Sequence, residues 1–180
     1  MWIFIAILVV LIIWAISVYN SLVTLRMNVS GAFAQIDTVL KRRFDLIPNL
    51  VETVKGYAKH ESETLEKVIT ARNSFASANS IEDKSKANNE LTNSLKSIFA
   101  LSESYPDLKA NENFLHLQSE LTSTEDTITS SRQSYNSVVE KYNTKIITFP
   151  DNIIASIFKF HEEKFFETNE EEREAVKVSF

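Results

Sequence analysis

The alternation of apolar and polar positions changes character along this chain. Residues 2–18, WIFIAILVVLIIWAISV, are apolar almost without interruption: twelve are Ile, Leu, Val or Phe, and no charged side chain precedes Arg26. As a helix, Trp2 to Tyr19 would cover about 27 Å, close to the hydrocarbon thickness of a bilayer. At about −0.3 to −0.6 kcal/mol per side chain, the twelve favour insertion by about −4 to −7 kcal/mol. The pattern therefore predicts a transmembrane anchor over residues 1–22, with the lipid bilayer as partner through residues 2–22. Trp2, Leu8, Leu11, Trp14, Val18 and Tyr19 are its expected contacts, the rings suiting the two interfaces. The competing reading is a signal peptide cleaved near Ala15-Ile16-Ser17. It lacks the basic n-region such signals use, and the apolar run is long for one.

Beyond the anchor the pattern turns helical. Leu22, Leu25, Val29, Phe33, Ile36 and Leu40 follow at three- and four-residue steps, with Gly31 among them. A helical glycine costs about 1 kcal/mol relative to Ala, and a close helix approach is the expected reason. A second run takes in Ile47, Leu50, Val51, Val54, Tyr57, Ala58, Leu65, Val68, Ile69 and Arg72. One helix kinked at Pro48 could join the two runs. A turn near 43–47 could also join them, with Asp45 or Ile47 as N-cap and Pro48 in the first turn. The turn is favoured, because one helix from residue 2 to 75 would be roughly 110 Å long.

Ser80-x-x-Asp83 resembles a capping box and predicts a third helix to about Ser104, buried through Leu91, Leu95, Ile98, Phe99 and Leu101. The fourth has a heptad: Phe114, Leu121, Ile128, Tyr135, Tyr142 and Phe149 stand seven apart, with Leu117, Thr124, Ser131 and Val138 as alternate seam positions. Pro150 stops it, and Asp151–Phe160 reads as a short amphipathic helix. The expected fold is all-α: the N-terminal transmembrane helix, then an antiparallel up-and-down four-helix bundle over 23–160. An acidic, solvated tail over 161–180 follows, ending in an extended VKVSF.

Composition supports this outline. Two Gly and three Pro in 180 residues suit helices better than a turn-rich β fold. The absence of Cys excludes disulfides, thiolate metal sites and Cys nucleophiles. A net charge of −5 argues against nucleic acid as a partner. Only the start residue precedes the span, whereas Arg26 and Lys41-Arg42-Arg43 follow it. The positive-inside rule then predicts a single-pass protein of the cell membrane, N-terminus outside and C-terminal domain cytoplasmic.

No catalytic constellation is visible. His60, His116 and His161 are the only histidines, and Thr64 occupies the second zincin position after His60-Glu61. There is no P-loop, dinucleotide fingerprint or nucleophile elbow. The sequence predicts no enzyme, no metal site and no cofactor.

Two polar groups invite a functional reading. Glu125 and Arg132 flank the heptad seam, and with Arg72 could form a polar layer that fixes bundle register; two solvated charges are the plain alternative. Lys41-Arg42-Arg43 would stand about 35 Å beyond the bilayer edge on a straight helix, far outside a Debye length of about 8 Å. Lipid binding by these cations is therefore not expected. They either complement a helix dipole or, as Arg42 and Arg43 with Asn49, form a surface for a protein partner.

The stretch YNSLVTLRMNVSGAFAQIDTVLKRRFDLIPNLVETVKGYAKHE resembles the signature of the bacterial LemA family. The resemblance continues through Leu65-Glu66-Lys67-Val68, Ala71-Arg72, YPDLKANENFLHLQSEL and RQSYNSVVEKYNTKIITFP, ending near Phe160. It implies a membrane anchor, a cytoplasmic body and an antiparallel four-helix bundle, and brings no established catalytic residue or cofactor. The family's usual tryptophan in the first soluble helix corresponds to Phe33, which keeps the ring and loses the indole donor. The expected function is a membrane-anchored interaction or scaffold module with an unidentified protein partner, self-association being left open. The alternative is a single-span accessory subunit of a membrane enzyme or transport complex, in which the anchor itself carries recognition. That anchor has no Gly-x-x-x-Gly and no ionisable group to mark a packing face or ion path.

Overall fold

A computed structural model describes residues 1–167 as six α-helices, with no strand among them. They are α1 (Trp2–Tyr57), α2 (Ser62–Ser77), α3 (Ile81–Ser102), α4 (Pro106–Lys109), α5 (Glu112–Ile147) and α6 (Asp151–Ile157). The VKVSF ending and the rest of 168–180 lie outside the described residues. The chain divides into two compact units: the first holds Met1–Ile36 and Ser131–Phe165, the second Asp37–Ser130 and Phe166–Phe180. Both take a stretch of α1 and a stretch of α5.

The expected turn near Pro48 does not occur. The chain stays helical from Trp2 to Tyr57 and turns ten residues later, at 58–61. The buried positions explain this. Leu40, Arg43, Ile47, Leu50 and Val54 are all interior, at steps of three and four. Arg43 bridges the two apolar runs that seemed separate when only apolar residues were counted. Pro48 has no N–H for the carbonyl of Phe44 one turn earlier. Arg72 Nε takes its place, 3.4 Å from that oxygen, while the guanidinium lies 3.8 Å from the Phe44 ring centre. A side chain from α2 thus satisfies the acceptor that the proline orphans.

Gly31 marks no close approach: an added Cβ there would meet nothing within 4 Å. The capping box is present. Ser80 Oγ accepts from the Asp83 N–H at 3.0 Å and donates to the Asp83 carboxylate at 2.6 Å.

The second unit has one hydrophobic cluster. It joins Ile47, Leu50, Val51, Val54 and Ala58 of α1 and its end, Leu65, Val68 and Ala71 of α2, and Leu91, Leu95 and Ile98 of α3. Leu108 of α4 and Phe114 and Leu121 of α5 complete it. In the first unit Val18, Leu22, Val29 and Ile36 of α1 are buried, as are Tyr135, Val139, Tyr142 and Ile146 of α5. The heptad on α5 drifts. Thr124 is buried as expected, but Arg132 and Val139 replace Ser131 and Val138 as buried alternates, and Phe149 is 75% exposed beyond the helix end. A straight helix at 3.6 residues per turn slips about 20° per heptad, which moves the seam one position in two to three heptads.

Candidate functional site

Three features carry functional weight: the exposed leader, a buried polar layer, and a strap after α6.

Every residue from Trp2 to Ile13 is exposed, although nearly all are large and apolar. Among the described residues α1 is the one helix long and apolar enough to cross a membrane. Of the expected anchor residues, Trp2, Leu8, Leu11 and Tyr19 are exposed and Trp14 is half-buried. Val18 is not an anchor contact. It is 6% exposed, and with Leu22 it belongs to the interior of the first unit. The exposed run therefore ends at Ser17, short of residue 22.

The polar layer exists in the second unit, with a different membership from that expected. Arg43 is buried, its side chain only 3% exposed, so it is not part of a partner surface. Its Nη1 donates to Asn88 Oδ1 at 2.9 Å and Thr92 Oγ1 at 3.0 Å, and lies 2.5 Å from Glu125 Oε2. Burial pulls the guanidinium pKa down, and the Glu125 carboxylate opposes that pull. Among the described residues Arg43 Nε and Asn88 Nδ2 are buried without hydrogen-bond partners. Arg43, rather than Arg72, is thus the cation facing Glu125, and Arg72 is occupied with Phe44. Arg132 is buried in the first unit. Spacing could have exposed Arg43, because three residues after Leu40 is a seam position. Asn88 and Thr92 carried no such signal.

Arg42 is exposed and pairs with Glu120 at 2.5 Å. Asn49 is exposed at a shallow groove lined also by Glu52, Thr53, Asn113, His116 and Leu117. These two remain surface positions; Arg43 does not.

The tail is not solvated throughout. In the first unit the Asn143 amide clamps the backbone of Glu163, donating to its carbonyl at 2.8 Å and accepting from its N–H at 2.9 Å. Arg26 lies 3.7 Å from the Glu163 carboxylate. The Tyr135 hydroxyl donates to the Lys164 carbonyl at 2.8 Å. Burial, with the Glu163 charge adding to it, pushes the Tyr135 phenol up to about 12. Phe33 meets Tyr135 ring to ring at 6.0 Å, so phenylalanine suffices there as an apolar contact. In the second unit Phe166 is buried, and Ser85 Oγ donates to the Glu167 carbonyl at 2.8 Å. Composition alone had marked this segment as acidic. The Asn143 clamp depends on backbone geometry that no residue pattern shows.

His60, His116 and His161 are all exposed. Among the described residues no three His, Cys, Asp or Glu side chains gather as metal ligands would. Within the layer Arg43 is turned on Glu125, and within the strap Arg26 is turned on Glu163.

Comparison with known proteins adds a family. Residues 32–180 match the family model described as LemA family. The chain is 30% identical over 164 residues to Protein LemA of Metamycoplasma hominis, covering 89% of this chain and 74% of that protein. It is 23% identical over 175 residues to Magnetosome protein MamQ 2 of Paramagnetospirillum magneticum, covering 83% of this chain. A similar match, also 23%, joins it to Magnetosome protein MamQ of Magnetospirillum gryphiswaldense. The chain spans 64% of the length of each of these two magnetosome proteins.

Proposed function

The chain belongs to the LemA family, and from that premise we propose that it is a membrane-anchored helical module whose body serves as an interaction surface and catalyses no reaction. The observation that carries this reading is the exposed apolar run, residues 2–17, which continues without a break into the helix that supplies both cores. Fourteen of these sixteen residues are exposed and nearly all are apolar, so the run has no stable place in water. A bilayer supplies one. The match to the family model begins at residue 32, beyond this run, so the run is argued from this chain's own residues.

In this reading α1, α2, α3 and α5 form an antiparallel up-and-down four-helix bundle. Their common hydrophobic cluster in the second unit supports it. The positive-inside rule places the body in the cytoplasm, N-terminus outside. The partner surface centres on Arg42 and Asn49, both exposed. One group of relatives is named for the magnetosome and another for the family alone.

Crosslinking in intact membranes, with Arg42→Glu/Asn49→Ala beside the unaltered chain, tests the surface. The Arg42–Glu120 pair is exposed and worth about 0–1 kcal/mol, so the variant keeps its fold. Loss of captured proteins supports the assignment, and an unchanged set defeats it. Replacing residues 2–17 by an unrelated span tests the accessory-subunit alternative: an interaction module keeps its partners after the exchange, whereas a subunit recognised through its anchor loses them. Finding the mature chain to begin after Ser17 would defeat the anchor itself.

A further inference from the structure

Beyond the leader, exposed large apolar side chains are unevenly distributed. Among the described residues from 28 to 146, only Tyr57, Ile69 and Leu115 are of this kind, each on a different helix. Five then fall within twelve residues: Ile147 (62% exposed), Phe149 (75%), Ile153 (45%), Ile157 (64%) and Phe158 (55%). The end of α5, the turn at 148–150 and α6 build this stretch. Ile154 and Ala155 of α6 are buried, whereas Ile153 and Ile157, four apart and so on one helical face, are turned outward. Apolar groups concentrated in this way mark a contact surface rather than scatter.

The place of the patch says what it contacts. The Phe158 ring lies 4.7 Å from that of Tyr19, and the Phe160 ring 5.8 Å. Tyr19 follows Val18, where the leader becomes buried. All these residues belong to the first unit. The patch therefore adjoins the leader where it joins the body, at the level a membrane surface would occupy. Tyr rings favour that interfacial level. Exposed Lys159 beside the patch has the reach to extend its ammonium to headgroups while its stem stays among apolar groups.

We propose that residues 147–158 are a second membrane contact, seated in the interfacial layer of the bilayer that residues 2–17 enter. Phe149, Ile153 and Ile157 reach the boundary between headgroups and acyl chains, as the apolar face of an in-plane amphipathic segment does. The proposal rests on the anchor reading and adds a fixed seat for the body. Its occupant is lipid, because the patch is continuous with the leader that lipid surrounds.

The natural chain has no Cys, so single introduced cysteines carry a fluorophore at one place each. The full chain is placed in nanodiscs with and without brominated phospholipid, labelled in turn at Leu8→Cys, Ile157→Cys and Ser134→Cys. Ser134 is exposed on α5, about 20 Å along the helix from Ile147. The expected result is loss of most emission at 8 and 157 and little change at 134. A label at Ile153→Cys should also be quenched, and should escape quenching once Phe149→Asp/Ile157→Asp is added. Quenching at 8 without quenching at 157 overturns the second contact and leaves the anchor standing. No quenching at 8 overturns the anchor and this proposal with it. Equal quenching at 134 and 157 shows the body lying along the membrane and overturns the patch assignment. A 157 label that lipid leaves bright and that crosslinks to the same position of another copy assigns the patch to self-association, which also overturns it.

Discussion

Arg43 shows how much one residue can decide. It lies at a seam position of α1, is almost fully buried, and meets Glu125 at 2.5 Å with Asn88 and Thr92 alongside. Removing one member of such a pair strands the other charge, at about 3–5 kcal/mol. Glu125 is partly exposed, so Glu125→Gln should cost about 3 kcal/mol, near the lower end of that range. Urea unfolding of the full chain in detergent measures it. The double substitution Arg43→Met/Glu125→Leu should regain most of the loss, since an apolar pair needs no counter-charge. Tyr135 gives a second residue-level expectation. Its phenol sits near 12 when folded, against about 10 in an unfolded chain. A raised folded value favours the protonated folded state. Its contribution is therefore complete below about pH 10 and disappears as pH rises towards 12. Alkaline melting should show Tyr135→Phe losing less stability than the parent across that window. At neutral pH the variant should be weaker by about 0.5–1.5 kcal/mol, the worth of its hydrogen bond to the Lys164 carbonyl. Glu125 was legible as a polar-layer candidate beside the seam and Arg43 falls at a seam spacing, whereas Asn88, Thr92 and Lys164 meet their partners only through the tertiary fold.

Among the elements, α1 departs most from its sequence reading. Proline was given more authority than it has. Pro48 breaks one hydrogen bond, and Arg72 supplies a donor for the freed carbonyl while lying on the Phe44 ring. A helix can pass through such a site when its apolar face on either side is already committed to a core. Pro48→Ala restores the N–H and should stabilise the full chain by about 1–3 kcal/mol. In that background Arg72→Leu should cost clearly less than in the parent, and a double-mutant cycle of melting measurements reads the difference. Gly31 is simpler. With open space where its Cβ would stand, Gly31→Ala should add about 0.4–1 kcal/mol, measured in the same way. The other helices were more readily read. Ser80 caps α3 as its spacing with Asp83 announces, and the α5 heptad holds until its seam drifts past Ile128. The turn at 58–61 was missed because no proline or glycine pair marks it.

At the scale of the whole molecule, the leader and the family were plain from the residues, whereas the boundary between leader and body was not. Val18 and Leu22 look as apolar as the residues before them, and only packing separates them. Leu8 and Leu11 are exposed in mid-leader. Lysine costs about 2.5–3.5 kcal/mol at the centre of a span. Leu8→Lys/Leu11→Lys therefore removes the whole insertion advantage of about 4–7 kcal/mol carried by the twelve large apolar side chains. The double variant should leave the membrane pellet in an alkaline wash that retains the parent.

The leader and the first unit share α1 with no loop between them. A span longer or shorter than the local hydrocarbon layer answers the mismatch by leaning. With no hinge to absorb that lean, the first unit must lean with it. A change in lipid composition would then reach the first unit as a change in angle, with the helix as its lever.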